Sequence, residues 1–282
     1  MPTYVADDGI SLHYDISGEG RPLVVLHGGA ALHPEYLGDL AGLGGRLVMP
    51  HLRGVGESPM PADPETGSFW RQAADIEALR RELGLAELVL AGHSAGTRLA
   101  IAYAAQYPDR LAGLLLITPP SAYLVDVPSD ADTLIDERRG DPVFDAAMAA
   151  RTAGPDLSGE DDLSSEDTFN EWQVASAPVG YAAWTPLEQA HSRVGRYHLP
   201  AARAYFSVDP PADLPARLGA VRAPVRVLAG AKDCTTGLAQ VLALSRLFPA
   251  GDAVVLDDCG HFPWVEQPAL FRRAADQFLA GL

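Results

Sequence analysis

Of 282 residues, 48% are hydrophobic and 21% charged, so the chain can bury a sizeable core, and its length suits one large domain with an insertion better than two full domains. A formal net charge of −16 argues against nucleic acid and against an anionic membrane surface as partners, because both would repel it. With no apolar run of about 18 residues, no signal-peptide pattern in residues 1–9 and only two cysteines, Cys234 and Cys259, the expectation is a cytoplasmic protein with free buried thiols.

In chain order, residues 4–18 (YVADDGISLHYDISG) have the alternation of a hairpin around Asp8-Gly9, an antiparallel edge. Apolar runs at 22–29, 45–54 and 87–94 then alternate with helical patterns at 70–83 and 95–110, and a further buried strand is expected at 111–120. Strands alternating with helices imply a mostly parallel sheet with helices on both faces. From residue 121 to 218 the character changes. Helical spacing is expected at 142–153 and 185–198, with an acidic loop at 154–168, and residues 119–217 hold 17 acidic against 7 basic side chains. The alternation resumes with a strand and its following loop at 223–233 and again at 252–262, and with helices at 238–251 and 267–282. The division is therefore a core in two parts, 1–120 and 219–282, with a helical cap at 121–218 inserted after the sixth strand.

Gly92-His93-Ser94-Ala95-Gly96 matches G-x-S-x-G between an expected strand and an expected helix, the context that this motif requires. A serine hydroxyl needs a base to take its proton and a third group to orient that base. Asp233 and His261 follow in the order acid, then histidine, each just after an expected strand of the second core part. Ser94, His261 and Asp233 are the candidate nucleophile, base and orienting acid, with His93 as support of the turn. The oxyanion of an acyl-transfer intermediate needs two N–H donors, assigned to Ala95 after the serine and to Gly29 in the glycine turn at the end of the run 22–29. No Cys/His cluster has metal-ligand spacing and no phosphate or dinucleotide motif occurs, so no metal and no cofactor is expected.

The blocks HGG (27–29), HLRGVGES (51–58), GHSAG (92–96), AGAKD (229–233) and CGHFPWVEQP (259–268) resemble those of the α/β-hydrolase family over nearly the whole chain. The HGG turn and the cap stretch YAAWTPLEQAHS (181–192) are most similar to the proline iminopeptidase group. Against the family's usual pattern His51 replaces an aspartate, and against that group's pattern Ala30-Ala31 replace Pro-Gly and Ala95 replaces a tryptophan. The resemblance implies cleavage after an N-terminal amino acid, with cap carboxylates holding the free ammonium. A buried ammonium must be paired, and Glu171, Glu188 and Glu35 are the candidates. Trp172, Trp184 and Trp264 are expected to line the pocket.

The function expected is thus an acyl-enzyme serine hydrolase acting on a small molecule or short peptide with a free amino group. The alternatives are an esterase or lactonase on a small hydrophobic ester and a non-catalytic binding protein on the same scaffold. Acyl group, leaving group and oligomeric state stay open.

Overall fold

In the first parallel strand, Val24 and Leu26 join one hydrophobic cluster while Leu23 and Val25 join another, and Leu114 and Leu116 alternate in the same way with Leu115 and Ile117. Such period-two burial on both sides requires a sheet covered on both faces. The computed structural model, which describes residues 2–155 and 162–282, contains that sheet. Its strands are β1 (Thr3–Val5), β2 (Ser11–Ser17), β3 (Pro22–Leu26), β4 (Arg46–Pro50), β5 (Leu88–His93), β6 (Leu111–Ile117), β7 (Val225–Gly230) and β8 (Gly251–Leu256). They lie in the order β1-β2-β4-β3-β5-β6-β7-β8. β1 and β2 form the hairpin, β2 pairs antiparallel with β4, and the remaining pairs are parallel.

Helices α1 (Ala73–Glu82) and α2 (Gly96–Gln106) follow β4 and β5. Between β6 and β7 run α3 (Ala131–Asp136), α4 (Pro142–Ala153), α5 (Asp162–Ser176), α6 (Pro186–His191), α7 (Leu199–Tyr205) and α8 (Leu214–Arg217). Then come α9 (Ala239–Ser245), α10 (Pro263–Glu266) and α11 (Pro268–Ala280). Ile76, Leu79, Leu99, Ile101, Val241 and Leu244 place α1, α2 and α9 on one face, and Phe271, Ala275 and Phe278 place α11 on the other. Among the described residues no helix is long and apolar enough to cross a membrane.

Local chemistry explains several boundaries. Asp141 accepts from Val143 N and Phe144 N at 2.8 and 3.2 Å ahead of Pro142, which starts α4, and Gly154 at φ 71° ends it. Two expectations need correction. Helix α5 starts at Asp162, inside the stretch expected as an acidic loop, part of which (156–161) lies outside the described residues. Its buried positions include Ser165, Asn170 and Ser176, so the helical period is not written in apolar residues. The helix expected over 185–198 stops at His191, because Gly195 takes φ 82° and Tyr197 makes a bridge with Leu32 instead.

The chain runs outward from β3 to β4 and returns on the other side of β3 to β5. A reversal of this kind leaves a crevice beyond the carboxyl ends of the two adjacent strands. There the residues after β3 meet the turn between β5 and α2, and contact is close enough to demand glycine. A Cβ on Gly92 would stand 2.8 Å from Gly96 O, and one on Gly96 would stand 2.5 Å from His27 O and strike Leu26 O as well. Main-chain atoms cannot yield as a flexible side chain can. Gly96→Ala is therefore expected to cost about 3 kcal/mol or more, read as the shift in urea-unfolding free energy; a loss below about 1 kcal/mol would contradict this packing.

Candidate active site

Ser94 sits between β5 and α2 at φ 51°, a left-handed conformation uncommon for a residue with a Cβ. Its N–H is fixed to Ile117 O at 2.9 Å and its carbonyl accepts from Thr97 Oγ1 at 2.5 Å, so strand and helix define the turn from both sides. Ala30, Ala31 and Thr118, nearby in the fold, are also left-handed, with φ of 41°, 75° and 44°. Backbone held in such sparse regions gathers at functional sites, where the surrounding structure over-determines it.

Asp233 and His261, separated by 28 residues, are brought together: His261 Nδ1 lies 2.8 Å from Asp233 Oδ2. Asp233 is fully buried and accepts three further bonds, from Thr236 Oγ1 at 2.6 Å, Thr235 N at 2.8 Å and Thr236 N at 3.3 Å. Burial alone would raise its pKa, but the neighbouring imidazole and these donors outweigh burial and hold the carboxyl below its usual range. Because the carboxylate can only accept, Nδ1 carries the ring proton and Nε2 keeps its lone pair. The His261 backbone is also fixed, with its N–H on Gly180 O at 2.7 Å and its carbonyl accepting from His93 Nε2 at 2.9 Å and Thr118 Oγ1 at 3.0 Å.

His93 extends this order into the other loops. Its Nε2 meets a carbonyl and must carry the proton, so Nδ1 accepts from Tyr36 Oη at 2.7 Å. Tyr36 Oη in turn accepts from Gly28 N at 2.7 Å. The first amide of the HGG turn is thereby used up. Among the described residues neither Gly29 N nor Ala95 N donates to a protein acceptor. Burial is the main cause that holds His93 well below 6.5 and therefore neutral.

Ser94, His261 and Gly29 line one cavity of about 280 Å³, which Trp172, Tyr197 and Tyr181 also line. Several bonds tie the intervening helices to the sheet end. Glu266 accepts from Ala182 N, Gly260 N and Phe262 N at 2.7–3.0 Å, and Tyr205 Oη donates to Ala95 O at 2.8 Å. His198 N donates to Ala31 O at 3.1 Å.

Of the expected pocket tryptophans only Trp172 lines this cavity. Trp264 is buried beneath it, edge-on to His93 at 4.7 Å, and Trp184 borders a different surface groove. The three carboxylates expected to hold an ammonium lie elsewhere. Glu171 is exposed on α5. Glu188 is buried, but its Oε2 accepts from Thr185 N at 2.8 Å and Thr185 Oγ1 at 2.5 Å as the capping box of α6. Glu35, with a side chain 56% exposed, lies 3.5 Å from His33 Nδ1 in a neighbouring groove. His51, standing where relatives have an aspartate, still braces its loop: Nδ1 accepts from Glu57 N at 3.1 Å while Asp15 bonds Nε2 at 3.0 Å. Cys234 and Cys259 are buried free thiols whose pKa values burial pushes up. Tyr197 and Tyr181 line the cavity, as expected of some of the aromatics in the 121–218 segment, while Tyr36, Thr236, Glu266 and Arg151, none assigned from sequence, belong to the site or its frame.

The profile of the alpha/beta hydrolase fold family matches residues 21–268. The chain belongs to the α/β-hydrolase family. This member is 37% identical over 109 residues to the proline iminopeptidase of Neisseria gonorrhoeae, a match covering 37% of this chain and 35% of that protein. It is 32% identical over 181 residues to that of Lactiplantibacillus plantarum, covering 61% and 62%. The chain thus spans about a third of the length of the Neisseria relative. Among solved structures, a thermophilic esterase from Thermogutta terrifontis aligns over 99% of this chain and 98% of its own with a TM-score of 0.70 at 24% identity. The proline iminopeptidase of Mycobacterium smegmatis aligns over 99% and 97%, with a TM-score of 0.70 at 21% identity. At those identities the superpositions establish the fold.

The protein's buried imidazoles make its stability sensitive to acid. Burial holds His27 down to about 3, against an ordinary value of 6.5. The unfolded chain takes up a proton that the folded one refuses, so stability is full above pH 6.5 and is lost as pH falls toward 3. At pH 4.5 the loss from His27 alone is about 3 kcal/mol. His93 acts in the same direction. Unfolding free energies at pH 7.5 and 4.5 should show at least this drop, smaller in His27→Gln; equal pH dependence in the two proteins would exclude a neutral buried His27.

Proposed function

We propose that the protein is a serine hydrolase working through an acyl-enzyme. In this reading Ser94 Oγ attacks an acyl carbon, and His261 Nε2 takes its proton and later returns it to the leaving group. Asp233 holds the imidazole in the required tautomer and stabilises the imidazolium formed during attack. The N–H groups of Gly29 and Ala95 receive the oxyanion. The observation that carries this is the 2.8 Å bond from His261 Nδ1 to a four-bonded, buried Asp233, with His261 and the left-handed Ser94 lining one cavity.

For the substrate we favour a small ester or lactone. Among the described residues the cavity lining contains no aspartate or glutamate, so a substrate ammonium would be desolvated without a counter-charge. The similarity to proline iminopeptidases supports a second reading, hydrolysis of an aminoacyl amide. Ser94→Ala and Asp233→Asn should lower kcat on a short 4-nitrophenyl ester by about 10³-fold or more, with circular dichroism unchanged; undiminished turnover by either would contradict the assigned roles. Prolyl 4-nitroanilide and its N-acetylated form separate the two readings. Comparable kcat/KM for the pair fits the ester reading, and abolition by acetylation selects the second.

A further inference from the structure

The region between β6 and β7 is strongly acidic, with 17 acidic and 7 basic residues over 119–217, yet the permanently charged side chain in the cavity lining is a cation, Arg151. Arg151 stands in the last turn of α4. Among the described residues it has no carboxylate within 4.0 Å, and its hydrogen bond is a long one, from Nη1 to Thr235 Oγ1 at 3.4 Å. The nearby Arg138 differs: it donates to Tyr181 O at 2.5 Å and lies over the Phe144 ring at 4.1 Å. A guanidinium has five donors in a planar fork, and among the described residues most of those on Arg151 meet no acceptor.

Its placement relates it to the reacting groups. Thr235 follows two residues after Asp233 and lines the same cavity as Ser94 and His261. The point where a Cβ on Gly180 would stand is 3.8 Å from Thr235 Oγ1 and 3.7 Å from His261 Cβ, so the hydroxyl that Arg151 contacts and the residue carrying the imidazole flank the same glycine. At about 280 Å³ the cavity holds a small molecule, and one anchored by its far end on Arg151 would have its acyl group within the same space as Ser94.

We propose that Arg151 is a specificity-determining residue that binds a carboxylate on the substrate, so that the ester or lactone cleaved is that of a small dicarboxylic acid. This deepens the serine-hydrolase reading and rests on it. A paired guanidinium and carboxylate in a partly closed site add about 1.5–3 kcal/mol, or roughly ten- to a hundredfold in affinity. A substrate bearing an ammonium at that end would be repelled.

The test is a matched pair, mono-4-nitrophenyl glutarate and 4-nitrophenyl pentanoate. The wild type should favour the glutarate by roughly ten- to a hundredfold in kcat/KM, and in Arg151→Gln that ratio should fall to about one, with Arg151→Lys between. Equal kcat/KM for the two esters in the wild type, or a preference that survives in Arg151→Gln, would overturn the proposal. Calorimetric titration of glutarate into Ser94→Ala, with and without Arg151→Gln, reads anion binding without turnover. Binding that depends on Arg151 upholds the site even where neither ester is hydrolysed. Hydrolysis of the pentanoate by the wild type with no glutarate binding overturns the site and leaves the serine-hydrolase reading standing.

Discussion

The hydroxyl of Tyr36 joins parts of the chain that no local interaction would bring together. It accepts from Gly28 in the turn after β3 and donates to His93 at the end of β5, whose other nitrogen donates to the carbonyl of His261. A second chain has the same grammar: Tyr181 Oη lies 2.7 Å from His191 Nδ1, and His191 Nε2 lies 2.9 Å from the carbonyl of Tyr36. Tyrosine to histidine to carbonyl is thus repeated, and the second chain ends where the first begins. Each carbonyl dictates the tautomer of its imidazole, and the tautomer dictates that the phenol donates. The intervening helices, the HGG turn, the serine turn and the His261 loop are ordered by one directional series of neutral bonds.

Neutrality is what makes the arrangement workable under burial. A protonated His93 would lose its bond from Tyr36 and place an uncompensated charge among apolar rings, and burial excludes that state near neutral pH. The Asp233 carboxylate is the buried charge behind the cavity, and four donors surround it. With His261 held by both backbone polar atoms and by Nδ1, its Nε2 remains for chemistry. The taking up of the Gly28 amide by Tyr36 likewise singles out Gly29 as the free donor of its turn. Strain at Ser94, Ala30, Ala31 and Thr118 is sustained because these bonds over-determine the backbone around it.

Much of the sheet was legible because strands buried on both faces are continuous apolar runs, and because the serine turn tolerates so few residues that its glycines are diagnostic. The order of Asp233 and His261 after their strands was equally readable, since the fold fixes where loops gather. The three candidate carboxylates stand outside the cavity lining for identifiable reasons. Glu171 is next to Trp172 in sequence, but adjacent residues on a helix point about 100° apart, and the tryptophan takes the inner direction. Glu188 carried a readable signal, Thr185-Pro186-Leu187-Glu188, which is a capping box with proline at the first helical position. Helix α5 was hidden because serine and asparagine occupy its buried face. Tyr36 and the partnership of Asp15 with His51 had no local signal, since they follow from which strands and loops become neighbours.

The central claim is that this frame makes Ser94, among all the serines of the chain, a nucleophile activated by His261. Reaction with a fluorophosphonate followed by intact-mass measurement and peptide mapping tests it most directly. The account predicts one label per chain, on Ser94, with a labelling rate that falls by at least about 10³-fold in His261→Ala. Labelling at another residue, or labelling of Ser94 at an unchanged rate without His261, would contradict it.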